Sequence, residues 1–80
     1  MREAILEAYP EEEFLFAVGL DDAIIGVEQF TMKIVYSESE CIRIYQEQGM
    51  SFKEAVDFFE FTVKSVYMGK MTPIFVDDTM

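Results

Sequence analysis

The side chains able to do chemistry in this sequence are carboxylates. They fall in clusters: Glu11-Glu12-Glu13, Asp21-Asp22, Glu38 with Glu40, Asp57 with Glu60, and Asp77-Asp78. Neighbouring carboxylates can hold a divalent cation, or divide general-acid and general-base work between them. The residues that usually accompany such chemistry are missing. The chain has no His, and Cys41 is its single cysteine. Cys/His zinc sites, Ser–His and Cys–His nucleophile pairs and an internal disulfide are therefore excluded. Neither the Asp-rich calcium loop nor a Gly-rich phosphate cradle occurs. The glycines stand apart at 19, 26, 49 and 69, three of them in places where a helix or turn should end. No catalytic residue, metal ligand or cofactor is assigned, and the chain reads as a non-enzyme.

Sixteen acidic against six basic side chains give a formal net charge of −10. Direct nucleic-acid binding needs the opposite balance, because phosphates are neutralised by Lys and Arg. An anionic membrane surface would also repel the chain. The matching partners of an acidic surface are a basic protein or cations. One reading is DNA mimicry: Glu11, Glu12, Glu13, Asp21, Asp22, Asp77 and Asp78 would form a ridge that competes for a basic groove, if the fold gathers them. The plainer reading is dispersed, solvating charge. No apolar run approaches the ~18 residues of a membrane span, and the first residues lack a positive-then-apolar signal, so the expected compartment is the cytoplasm.

Eighty residues suit one domain, spanning 1–80, near the size at which a single core suffices. With 51% hydrophobic residues the chain can fill that core and have apolar surface left for an interface. Residues 2–9 favour a short helix with Ala4, Ile5 and Ala8 on one side, stopped by Pro10. The stretch PEEEFLFAVG mixes a helix start with a strand composition and is taken as a helix-like turn ending near Gly19, so residues 1–20 form an N-terminal segment of open structure. Residues 22–36 alternate as two strands without a tight-hairpin signal. Ser37 with Glu40, and Ser51 with Glu54, are capping boxes that start helices over 38–48 and 52–68. Gly49 closes the first helix, so the two should fold against each other or cross at a steep angle. Residues 72–77 make a third strand, with Pro73 at its start. The expected architecture is α+β: a small antiparallel sheet of about three strands packed on the helix–Gly–helix unit.

The second helix carries four phenylalanines. At ~100° per residue, Phe52, Ala55, Val56, Phe59, Val63, Val66 and Tyr67 gather on one core face. Lys53, Asp57, Glu60 and Lys64 form a polar edge, and Phe58, Phe61 and Met68 make a second apolar stripe. Two apolar faces require two apolar neighbours. The second is either the preceding helix, through Cys41, Ile42, Ile44 and Tyr45, or a partner, with Phe58, Phe61 and Met68 as the anchors of a homodimer or protein interface. A helix–turn–helix reading of 37–69 is set aside, since the start of its reading helix, Ser51 to Glu54, is poor at gripping phosphate or base edges.

The string DDAIIGV…VYS…GMSFKEAVDFFEF…TPIFVDD, over residues 21 to 78, resembles a group of small acidic proteins encoded mainly by bacteriophages and bacterial genomes. The resemblance implies no activity and carries over no functional residue. The lead-in YPEEEFLFAVG looks longer than the group's usual one. What the resemblance implies is a non-catalytic accessory protein that binds and modulates a host or phage protein. The alternatives are a DNA-mimic inhibitor of a nucleic-acid-binding protein and a homo-oligomeric structural or assembly factor.

Overall fold

In a computed structural model, which describes residues 1–64, 69 and 71–78, the chain is a small α+β fold. Helix α1 spans Arg2–Ala8 and strands β1 and β2 span Ile24–Glu28 and Lys33–Ser37. Helices α2 and α3 span Glu38–Glu47 and Phe52–Phe58, and β3 spans Ile74–Val76. A 3-10 turn, Asp21–Ala23, leads into β1, and a π-helical turn, Phe59–Lys64, continues α3. The sheet order is β1-β2-β3.

The sheet departs from the expected antiparallel arrangement. Strands β1 and β2 pair antiparallel, but β3 lies parallel to β2, with Val35 opposite Ile74 and Ser37 opposite Val76. The physical reason is the two-helix connection. Strand β2 runs directly into α2, and parallel pairing needs a long crossover, which the stretch holding α2 and α3 between β2 and β3 supplies. Between Ile24 and Gly26 the β1 register slips, leaving Ile25 at the irregularity. The β1–β2 loop is shaped by Glu28, whose carboxylate accepts from the Phe30 and Thr31 N–H groups at 2.7 and 2.9 Å and from the Thr31 hydroxyl at 2.6 Å. These bonds replace the Gly or Asn of a tight hairpin. Met32, at φ 56°, takes the left-handed turn.

The core is formed by Ile5, Leu20, Ala23, Ile24, Ile34, Tyr36, Cys41, Ile42, Tyr45, Ala55 and Phe59. Tyr36 is at its centre, stacked on Phe75 at 5.3 Å, and its hydroxyl accepts from the Ala17 N–H at 2.7 Å. That bond ties the 10–20 segment to the sheet. The segment is not the expected helix-like turn. Phe14 and Phe16 face inward while Leu15 faces out, a two-residue period, and Tyr9, Phe14 and Phe16 contact edge to face. On α1 only Ile5 is buried; Ala4 and Ala8 are exposed, so the expected apolar side is one residue wide.

Helix α2 ends in a Schellman arrangement. Gly49 adopts φ 106°, its N–H reaches the Gln46 carbonyl, and the Met50 N–H reaches the Tyr45 carbonyl. The box at Ser51 and Glu54 is complete. At Ser37 only half of it forms: the hydroxyl accepts from the Glu40 N–H, while the Glu40 carboxylate turns to Arg43. Arg43 also reaches Glu47, and this second ion pair draws it, with Glu40, along the outer side of α2.

Candidate interaction surface

Helix α3 faces two ways. Its inner side buries Ala55 and then Phe59, which meets Phe75 edge to face at 5.5 Å. Its outer side carries Phe58 and Phe61. Phe58 leans its ring on Tyr45 of α2 at 4.8 Å and is 39% exposed, whereas Phe61 is 85% exposed. Of the second stripe, Phe58 thus packs partly on the preceding helix, whereas Phe61 is largely exposed. Met68 lies outside the described residues.

Together with Met50, Glu54 and Asp57, these two rings line an open groove of about 430 Å³. The Ser51 N–H donates to the Glu54 carboxylate at 2.9 Å, which fixes that side chain and holds its pKa below the usual glutamate value. Glu54 therefore stays charged in the lining of the groove. Phe61 lies within the π-helical turn, where the wider winding changes the face each residue presents. A uniform 100° wheel stops being valid at Phe59.

The wheel also misplaces Phe52. It was expected on the core face, yet it is 62% exposed. As the first residue of α3 it projects beyond the layer where Ala55 meets the core. It lines a second groove, of about 290 Å³, with Ser39, Ile42, Gln46 and Asp78. Two further residues contribute at the surface, exposed Phe30 and half-buried Met50. Phe30, 99% exposed, sits at the tip of the β1–β2 loop, and Met50 contributes to the α3 groove. Phe30 continues the strand alternation in the sequence, so its period hides the turn. Met50 follows the helix-ending Gly49, a position that often touches the helix just closed.

The acidic residues are only partly gathered. Residues 21–22 precede β1 where Ile24 pairs with Tyr36, and residues 77–78 follow β3 where Val76 pairs with Ser37. Asp21, Asp22, Asp77 and Asp78 thus bracket the junction between β2 and α2. Two of them have structural work there. Asp21 pairs with Arg2 at 3.3 Å. Asp78 accepts from the Ser37 hydroxyl at 2.5 Å and from the Ser39 N–H at 2.9 Å, placing a negative charge at the positive end of α2. These bonds hold the Asp78 pKa below its usual value, the Ser37 bond contributing most. Glu11, Glu12 and Glu13 are exposed in the link after α1.

Cys41 is fully buried, and burial, with smaller contributions from Asp78, Glu38 and Glu40, pushes its pKa up to about 12. A thiol so rarely ionised is a core residue and a poor nucleophile. Among the described residues no group of three or more His, Cys, Asp or Glu is placed to hold a metal ion, and no helix is long and apolar enough to cross a membrane. Comparison with known protein families, curated proteins and solved structures finds no match for this chain.

Proposed function

We propose that this chain is a non-catalytic protein-interaction module that binds through the outer face of α3, acting in the cytoplasm as an accessory protein of the phage type. The observation that carries the reading is Phe61, 85% exposed beside Phe58 and Met50 in a groove. Aromatic and Met residues grouped at one surface groove match the composition of interface cores, where both are enriched. DNA mimicry is the weaker reading, because Asp21 and Asp78 already serve Arg2 and the start of α2. A homo-oligomeric assembly factor would use the same α3 face.

The test is Phe61→Asp, measured by circular dichroism, thermal melting and light scattering over a concentration series. A surface ring should tolerate the change, with a stability loss within about 0.5 kcal/mol. A folded variant with unchanged helicity is the expected outcome. Loss of the fold would place Phe61 in the core and remove the reading. A wild-type dimer that the substitution turns into a folded monomer would make the face a self-interface.

A further inference from the structure

The groove on α3 is lined by apolar and acidic side chains together, and the combination specifies what can cover it. Met50, Phe58 and Phe61 supply the apolar part, and Glu54 and Asp57 supply the charge. A second copy of this chain fits poorly. In a two-fold dimer the same patch meets itself, so Glu54 and Asp57 of both copies would enter one interface, on chains that each carry a formal charge of −10. Like-charge juxtaposition across an interface suppresses such partners. Its lining runs from Met50, ahead of α3, to Phe61 in the π-helical turn that follows it.

We propose that the α3 groove receives an amphipathic helix of a basic partner protein, with apolar anchors on Met50, Phe58 and Phe61 and lysines or arginines against Glu54 and Asp57. The inference rests on the α3 face being the binding surface and adds the occupant. Helix-in-groove recognition lays apolar anchors at i, i+3, i+4 and i+7 into an apolar groove and leaves the charged flank of the same helix to meet the groove's acids. The carboxylates supply charge complementarity, which acts on association rate and on the choice of partner.

The experiment is a titration of the isotope-labelled full chain, followed by amide NMR shifts. Two synthetic helices of about 18 residues are used, a length at which isolated helices begin to hold. Both carry leucines at i, i+4, i+7 and i+11; one has flanking lysines and the other flanking glutamates. The lysine peptide should bind at least about tenfold more tightly and shift Met50, Phe58 and Phe61 most. Glu54→Gln with Asp57→Asn should weaken it about three- to tenfold and flatten its salt dependence. Glutamine still completes the capping box, so the fold is preserved.

Equal binding of both peptides would overturn the basic occupant and leave α3 as a docking surface. Binding of neither, with a wild-type dimer lost in Phe61→Asp, would also overturn it, in favour of a self-interface. Binding of neither, with an unfolded Phe61→Asp, would remove the docking surface as well.

Discussion

Asp78 shows how a surface acid can be structural. Its carboxylate bonds both the hydroxyl of Ser37, the N-cap of α2, and the N–H of Ser39 inside the first turn. Its folded pKa lies below the ordinary aspartate value of 3.8, so the unfolded chain takes up the proton first as pH falls. The contribution of this clasp is therefore complete above that ordinary value and is lost as pH drops through the lower folded one. Urea denaturation of wild type and Asp78→Asn across the acid range tests this. Wild type should be the more stable near neutrality, and the gap should close toward the acid end. Glu28 and Glu54 titrate in the same direction in both proteins, so the comparison isolates Asp78.

At the scale of elements, helix boundaries depend on a few residues. Gly49 at φ 106° lets α2 close and α3 start two residues on, and an added Cβ would meet no atom within 4 Å. The cost of a side chain there is purely conformational. Gly49→Ala should lose about 1 kcal/mol or more, seen as a lower urea midpoint with an unchanged slope. This junction was legible in the sequence because caps and the αL glycine are local signals. So was the hydrophobic identity of the core strands. The direction of β3 was not, since three residues, Ile74–Val76, have no periodicity that distinguishes parallel from antiparallel pairing. The π-helical turn was not legible either, because nothing in FEFTVK marks the change of winding. Of the candidate site, Phe58 and Phe61 could be read from helical spacing. Met50 and the inward–outward alternation of Phe14 to Phe16 required the tertiary frame to appear.

For the molecule as a whole, charge and size act together. A body of 80 residues with a formal charge of −10 repels itself, while its total stability is on the order of 4–12 kcal/mol. The described ion pairs, Arg2–Asp21 and Arg43 with Glu40 and Glu47, are exposed and relieve little of this. Screening should do more. The melting temperature is expected to rise between low salt and physiological ionic strength, where the Debye length shortens to about 8 Å. Calorimetry over a sodium chloride series checks it; a flat or falling trend would mean that the favourable pairs outweigh the repulsion.

The parallel seam between β2 and β3 also governs the order of assembly. The hairpin and both helices can form from residues 1–58, but the far side of β2 remains a bare edge until residues 74–76 arrive. The Ser37–Asp78 bond joins residues 41 positions apart, so the stitch that secures this edge is also among the most distant in sequence. Until it closes, the central strand is an edge strand, open to pairing with a neighbouring chain instead of its own terminus. Residues 74–78 thus act as a guard against strand exchange during folding.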